Sequence, residues 1–278
     1  MQAAEDMLRL YWMPGCTSCL RAREFLKAQG LAFESINVIE NPAAADQLRR
    51  LGARSVPVVA RGERFVFAQE LSEVARFVGI SLTPIRLPPA ELLQRLRTLL
   101  EFVAAVTETL PAERLADHIP TRPRRYADLC YHVGQIVEGL LDAADPERAA
   151  ELTYAHFERL PDAAIAGDPQ ALARALRATR AALENALSRL QRRAPDEPVR
   201  TYYGLRPLHE VLERTAWHVA QHARQIDHIA AVVLALPSAP RLDPRELVGL
   251  PVPQQVWDAE VQFVSAQALD SSAGQGGG

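Results

Sequence analysis

The sequence holds little of what a disulfide-stabilised, membrane-spanning or nucleic-acid-binding protein needs. It has three cysteines in 278 residues, which is too few for a disulfide framework. Its apolar run at 229–236 is too short to span a bilayer, and no basic segment precedes an apolar one at its start. The formal net charge of −3 provides no attraction for nucleic acid or an anionic membrane. We therefore predict a cytoplasmic protein with neither of these partners.

Aromatic residues are scarce as well, at 6%, although hydrophobic residues make up 48% of the chain. Alanine and leucine are plentiful, which favours helices over a large sheet. A chain of 278 residues is long for one compact core and sufficient for two. The composition therefore predicts a helix-rich protein with room for two domains.

The first part of the chain alternates strand-like and helix-like segments. Short runs of alternating apolar residues predict strands, and apolar residues at helical spacing, stopped by glycine, predict helices. The predicted order is β-α-β-α-β-β-α, with strands at 7–12, 33–38, 57–60 and 64–67 and helices at 19–29, 42–51 and 70–78. This order predicts an α/β domain over residues 1–82.

The pattern changes after a proline-rich segment at 83–89, which we interpret as a linker. Apolar residues then recur every three or four positions, which predicts long helices. Four such helices, and therefore an antiparallel four-helix bundle over 90–236, are predicted at 90–110, 126–141, 169–192 and 207–236. Short helices are also predicted at 149–160 and at 256–269, the latter within a tail at 237–278 that ends in a flexible glycine-rich stretch.

Cys16-Thr17-Ser18-Cys19 follows the first strand and opens the first helix. Unpaired backbone N–H groups and the positive dipole end of a helix stabilise a thiolate there, and a C-X-X-C context lowers a cysteine pKa. Since a thiolate is the species that attacks disulfides, we predict Cys16 as the nucleophile and Cys19 as the residue that resolves a mixed disulfide. Half of a zinc site is the alternative, but it needs two more ligands, and no further cysteine or histidine occurs before His118.

Three segments of the sequence resemble the glutaredoxin family over residues 7–80: Tyr11 to Cys19, Ser55-Val56-Pro57 and 65–79. The resemblance implies a thioredoxin-like fold and thiol-disulfide oxidoreductase activity. It further implies that Pro57 is cis and faces the nucleophile, and that Val56 pairs with the substrate backbone. Glutathione-using members carry a glycine-rich turn ahead of the last helix, whereas residues 67–70 of this sequence contain no glycine. Glutathione, another low-molecular-weight thiol and a protein disulfide therefore all stay open as the partner.

Three histidines fall on the apolar faces of two predicted bundle helices. His218 and His222 are one turn apart on the last helix, and His132 lies on the apolar stripe of the second. A buried imidazole needs a partner, and a divalent metal ion bound by neutral imidazoles would serve all three. Zinc is the favoured ion, with nickel and iron as alternatives, and three ligands leave one coordination position open. Separately hydrogen-bonded core histidines are the other interpretation.

The same helices resemble the DinB/YfiT-like four-helix bundle family over residues 90–236. The resemblance rests on the segment 207–226 and on the residues around His132 at 128–132. It implies a divalent metal held by one histidine of the second helix and an H-X-X-X-H pair of the last, which map onto His132, His218 and His222. Some members are similar to thiol S-transferases that use mycothiol or bacillithiol, so a low-molecular-weight thiol is the implied co-substrate.

Other reactive side chains near these motifs receive simpler interpretations. Cys130 is two positions from His132 and therefore on another face of the helix, so we interpret it as a packing residue. Arg122, Arg124 and Arg125 precede the second bundle helix. An exposed loop is the favoured interpretation of these arginines, and a basic mouth for an acidic thiol is the alternative.

The two motifs together lead to two hypotheses about function. The first is a thiol-disulfide oxidoreductase coupled to a metal-binding bundle that acts as a metal-dependent S-transferase for a low-molecular-weight thiol. The second is a non-catalytic bundle that binds or senses metal and is protected by the redox module. Assembly into a homodimer stays open at this stage.

Overall fold

The computed structural model of the protein describes residues 7–83, 86–145 and 151–259. Its first part has the predicted β-α-β-α-β-β-α order, which confirms the α/β prediction. The elements are β1 (Arg9–Trp12), α1 (Thr17–Ala28), β2 (Glu34–Asn37), α2 (Pro42–Leu51), β3 (Val58–Arg61), β4 (Arg64–Phe67) and α3 (Leu71–Val78).

The four strands form one mixed sheet in the order β2-β1-β3-β4. β1 runs parallel to β2 and antiparallel to β3, so it lies in the middle of the sheet. Leu10 and Trp12 of β1 pack on one face with residues of α1 and α3, whereas Tyr11 packs on the other face with residues of α2. β1 is thus anchored on both faces, and it delivers the chain directly to the dithiol.

The second part is an antiparallel four-helix bundle, as predicted. Helices α4 and α5 both pack against α7 and α8. Their bounds are α4 (Pro89–Thr107), α5 (Tyr126–Ala143), α7 (Pro169–Arg192) and α8 (Leu208–His228), with the short α6 (Ala163–Ala166) before α7. α8 ends earlier than predicted, in a π-helical turn at Ile229–Val233. Within the described residues, no helix is both long and apolar enough to cross a membrane.

Two connections between the bundle helices differ from the sequence-based expectation. A β-hairpin, β5 (Pro198–Thr201) with β6 (Gly204–Pro207), stands where we predicted no regular element. Gly204 has a φ of 115°, a conformation that side chains disfavour, and it permits the tight turn. The helix predicted at 149–160 is reduced to a 3-10 turn at Tyr154–Phe157 in the part that can be described.

The chain beyond the bundle folds back across both domains. Arg23 of α1 forms an ion pair with Asp258, and the Gln221 side chain of α8 donates hydrogen bonds to the carbonyls of Gln255 (3.0 Å) and Val256 (2.9 Å). These carbonyls are therefore engaged with α8, and residues 256–259 are not helical. The rest of the helix predicted at 256–269 lies outside the described residues. The exact domain boundaries, at 82, 89 and 236, stay predictions.

A candidate active site between a dithiol and three histidines

The dithiol lies at the N-terminus of α1. Cys16 is the N-cap residue, Cys19 lies in the first turn, and the two are joined in a disulfide. The Cys19 amide donates to the Cys16 sulfur at 3.2 Å, which is the contact that stabilises a thiolate at this position once the disulfide is reduced. Cys16 is half-buried, whereas Cys19 is 2% exposed. An incoming sulfur can therefore reach Cys16 more readily than Cys19.

Val56 lines the same cavity as Cys16 and packs in the same apolar cluster, and Pro57 follows it in the chain. The peptide bond between them is cis, as the resemblance to glutaredoxins implies. The Val56 carbonyl accepts a hydrogen bond from the Gln69 side chain at 3.4 Å, and the Pro57 carbonyl accepts one from the Ala68 amide at 2.9 Å. Their predicted roles toward a substrate stay predictions.

The three histidines converge in the bundle interior. His132 projects from α5, and His218 and His222 project from α8. Their ligand nitrogens all lie within 4.8 Å of one another, and the Nε2 atoms of His218 and His222 are 3.2 Å apart. All three rings are buried, with 2–8% exposure. The α8 spacing of four residues brings two rings to one face, and the packing of α5 against α8 supplies the third.

The tautomer of His222 is set by its neighbour Gln225. The Gln225 amide nitrogen donates to the Val256 carbonyl at 3.0 Å, so its oxygen faces the His222 Nδ1 atom at 2.7 Å. Because this oxygen can only accept, the proton lies on Nδ1 and the Nε2 lone pair points toward His218. A hydrogen bond that fixes the ring and leaves the other nitrogen bare is typical of metal-ligating histidines.

The protonation state of the cluster also fits a metal site. Burial lowers the pKa of His132 and His218 well below the usual histidine range, and it lowers the pKa of His222 to about 3. The positive charge of Arg124 lowers all three further. The Nδ1 atoms of His132 and His218 have no hydrogen-bond partner within the described part of the chain. Three neutral, converging imidazoles with unsatisfied nitrogens are a donor set that fits a divalent ion.

The dithiol and the histidine cluster line the same cavity, which has a volume of about 220 Å³. Cys16 and Val56 of the first domain line it together with His132, His218 and His222 of the bundle. Further lining residues are Gln69, Arg122, Arg124, Tyr154, Phe157, Tyr202 and Arg214. A small molecule in this cavity can therefore be presented both to the Cys16 sulfur and to the histidine nitrogens.

The loop arginines are placed differently from our expectation. Arg122 and Arg124 are half-buried in the cavity wall rather than exposed. Arg125 points elsewhere and forms a two-pronged ion pair with Asp128, at 2.7 and 2.9 Å, which caps the start of α5. The alternative of a basic mouth thus describes the first two arginines, and the exposed-loop interpretation is wrong for them.

Arg214 is a cavity residue that sequence reasoning missed altogether. Its guanidinium is 2% exposed, lies 5.4–5.8 Å from the ring centres of three aromatic residues, and donates to the Tyr202 hydroxyl at 2.7 Å. The aromatic residues are Phe157, Tyr202 and Tyr203. Tyr202 lies in the turn of the β5–β6 hairpin, so an unpredicted hairpin hid this part of the site. Cys130, by contrast, is a buried core residue as predicted, and burial raises the pKa of its thiol to about 11.

Buried charges connect the two domains. The Arg21 guanidinium of α1 stacks over the Trp217 ring of α8 at 4.4 Å and donates to the Gln69 carbonyl at 3.3 Å. Glu70, which is 3% exposed, has a buried oxygen without a hydrogen-bond partner among the described residues. Burial raises the pKa of Glu70 to about 7, although the positive charge of Arg21 opposes the effect.

The substitution Glu70→Gln is expected to remove a pH-dependent loss of stability. Between pH 4.5 and about 7, the unfolded chain releases the Glu70 proton before the folded chain does, so wild-type stability falls as the pH rises. Above about pH 7 the free energy of unfolding that wild type has lost stays constant, at about 3 kcal/mol, given about 1.4 kcal/mol per pKa unit. We measure the free energy of unfolding of both proteins with denaturant at pH 4.5 and at pH 8. The advantage of the variant over wild type should be larger at pH 8 by about 3 kcal/mol. Parallel stability profiles for the two proteins would contradict this account.

Comparison with protein families places two known models on the chain. A glutaredoxin model matches residues 8–66, and a model of the DinB superfamily matches residues 126–226. The first match contains the dithiol together with Val56 and Pro57, and the second contains the three histidines. Each of the two family matches therefore contains residues that line the cavity.

Curated relatives match the N-terminal part of the chain. The glutaredoxin-like protein NrdH of Salmonella typhimurium is 36% identical over 56 residues, which are 20% of this chain and 69% of that protein. The gene 56 protein of Mycobacterium phage L5 is 41% identical over 51 residues, which are 18% of this chain and 50% of that protein. An uncharacterised glutaredoxin-like 8.6 kDa protein of Clostridium pasteurianum is 25% identical over 73 residues, which are 26% and 97% of the two chains. No solved structure matches the chain.

Proposed function

The chain belongs to the glutaredoxin family through its N-terminal domain and carries a DinB-like domain behind it, and from that premise we propose a thiol-disulfide oxidoreductase that acts on a low-molecular-weight thiol adduct beside a metal site. The observation that carries the proposal is the single cavity lined by Cys16 and by all three histidines. A redox dithiol and a metal site that served unrelated purposes would have no reason to share one cavity. For the bundle we propose a separate activity, that of a metal-dependent thiol S-transferase, which is supported by its DinB match and its three histidines.

Cys16 is the attacking residue in the proposed reaction. Its thiolate attacks a disulfide R–S–S–R′, displaces one thiolate and forms a mixed disulfide with R′. The Cys19 thiolate then attacks the Cys16 sulfur, releases the second thiol and leaves the Cys16–Cys19 disulfide, which is the form present here. The protein dithiol thus loses two electrons and two protons, and the substrate disulfide gains them. An external thiol reductant returns the dithiol to its reduced form, so we also propose that the protein acts in a reducing compartment, the cytoplasm.

His132, His218 and His222 are the residues that would hold a divalent ion, and zinc is the ion we favour. When bound, such an ion supplies a positive charge that lowers the pKa of a thiol or a water molecule in the cavity. Gln225 keeps the His222 ring in the orientation that leaves Nε2 bare. Val56 and Pro57 are assigned to substrate positioning, because Val56 lines the cavity beside Cys16.

The proposed function is tested by measuring the rate of disulfide reduction with Zn²⁺ bound to the histidine cluster and with the metal removed. Reduced full-length protein is treated with a chelator, or supplied with one equivalent of Zn²⁺, and mixed with glutathione disulfide. We expect the rate of thiol release to change by about threefold or more on loading, because a divalent charge in the cavity alters thiolate stability.

The control for zinc binding at the dithiol itself is the variant His132→Ala, His218→Ala, His222→Ala, which keeps Cys16 and Cys19. Its rate should be the same with and without Zn²⁺. Equal rates for loaded and stripped wild type would separate the two sites, and the protein would then be a reductase joined to an independent metal-binding bundle.

A further inference from the structure

Two arginines of the loop before α5 form one wall of the shared cavity, and one of them touches the dithiol loop. Gly15, directly before Cys16, has a φ of 67°, and a Cβ atom on it would lie 2.5 Å from the Cδ atom of Arg122. Only glycine permits this approach, because any side chain there would displace the arginine. Arg122 therefore covers the segment that leads into Cys16, and Arg124 follows it on the same wall.

Neither guanidinium has a carboxylate partner among the residues that the structure describes. The Nε atom of Arg122 and the Nη1 atom of Arg124 are buried and make no hydrogen bond there. The neighbouring Arg125 is fully engaged with Asp128. Burying a cation without a partner is costly, and two adjacent unpaired cations in one cavity indicate a ligand that neutralises them.

The charge of the side chains that line the cavity indicates that this ligand is negatively charged. Burial lowers the pKa of Arg122, and burial together with the charge of Arg122 lowers the pKa of Arg124 to about 9. Glu158 is the carboxylate among the lining residues, and it is exposed. The described wall therefore carries more positive than negative charge.

We propose that Arg122 and Arg124 form a subsite for the carboxylate of a small acidic thiol adduct, whose sulfur atoms face Cys16 in the same cavity. A planar guanidinium binds a carboxylate through two parallel hydrogen bonds, which gives orientation as well as affinity. A cavity of about 220 Å³ between two domains selects a small molecule over a folded protein. The inference rests on the proposed function in taking the anion to belong to the thiol co-substrate.

The subsite is tested first by equilibrium binding, independently of catalysis. The full-length Cys16→Ser protein, which cannot form a mixed disulfide at that position, is titrated calorimetrically with 3,3′-dithiodipropionate and, separately, with the neutral bis(2-hydroxyethyl) disulfide. We expect the acidic disulfide to bind, and the further change Arg122→Gln with Arg124→Gln to weaken it by about tenfold or more. Arg125→Gln is the matched control and should leave the affinity unchanged.

The second readout is the rate at which each disulfide oxidises the reduced protein with its cysteines intact, followed by alkylation and mass spectrometry. In the double arginine variant, the rate of oxidation by the acidic disulfide should fall by about tenfold. The rate of oxidation by the neutral disulfide should change by less than about twofold. Equal slowing of both disulfides, unchanged affinity for the acidic one, or no binding of it at millimolar concentration would each overturn the subsite. Arginine-dependent binding without reduction of either disulfide by the wild type would instead support the subsite and contradict the proposed function.

Discussion

The substitution Cys16→Ser is expected to lower disulfide reduction by the full-length protein by about a thousandfold or more, to the uncatalysed background. A serine hydroxyl is not ionised near neutral pH and forms no disulfide, so neither the attack nor the mixed intermediate remains. Metal content should be the same as in wild type, because the three histidines of the bundle are the candidate ligands and Cys16 is not among them. Reduction is measured with a small disulfide and a thiol reductant, and metal by elemental analysis.

Two further variants separate the roles of the three cysteines. Cys19→Ser should retain the first step and stop at the second, so that a mixed disulfide accumulates at Cys16 and is visible by mass spectrometry. Cys130→Ala is the control, since that thiol is 1% exposed in the bundle core and does not line the cavity; it should retain reduction at the wild-type rate. Reductase activity that survived in Cys16→Ser would refute the assignment of the nucleophile.

Sequence reasoning found the parts of the site whose residues are separated by a short, fixed number of positions. Cys16 and Cys19 are three positions apart at a strand-to-helix junction, and His218 and His222 are four apart on one helix. In both pairs the spacing alone brings the side chains together, because the geometry of a helical turn is the same in every protein. His132 was found because it lies on an apolar stripe, where a ring must be buried whatever the partner helix is.

The parts that sequence reasoning missed, or interpreted first as exposed, depend on packing between segments far apart in the chain. Arg122 and Arg124 belong to a proline- and arginine-containing loop that reads as a solvated segment, and Arg122 packs closely against Gly15 of the other domain, which has no side chain to displace it. Tyr202 and Arg214 meet only because the β5–β6 hairpin folds against α8. The local sequence predicts that a polar side chain on a loop is exposed. It cannot show that contacts with a second domain bury that side chain. The strand pattern at 198–207, with glycine at the turn, was the one feature that could have predicted the hairpin.

The junction between the domains holds the two motifs beside one cavity. Arg21, five positions after Cys16, stacks on Trp217, the residue directly before His218. Arg206 and Glu73 add an ion pair between the hairpin and α3, with one pair of atoms at 2.7 Å. The helix that carries the dithiol is thus held against the helix that carries two of the histidines. The relative position of the two reactive centres is set by this contact rather than by either domain alone.

Replacing His132, His218 and His222 together by alanine is expected to remove the bound metal while leaving the dithiol in place. Wild-type protein purified without chelator should contain about one equivalent of a divalent ion, and the variant below about 0.1 equivalent, since three imidazoles are the donor set. His228→Ala is the matched control, because His228 is the last residue of the same helix α8 but does not line the cavity. Metal is measured by elemental analysis after gel filtration.

Thermal unfolding shows whether the triple variant has lost only its metal ligands or has also lost its fold. A metal that binds only the folded state raises the unfolding temperature of wild type, and chelator lowers it; the triple variant should show neither shift while still unfolding cooperatively. Cys16→Ser should keep both shifts, because its histidines are intact. Wild type that holds no metal and melts at the same temperature with and without chelator would leave three buried neutral histidines as core residues, and the cavity would then serve the dithiol and its arginines alone.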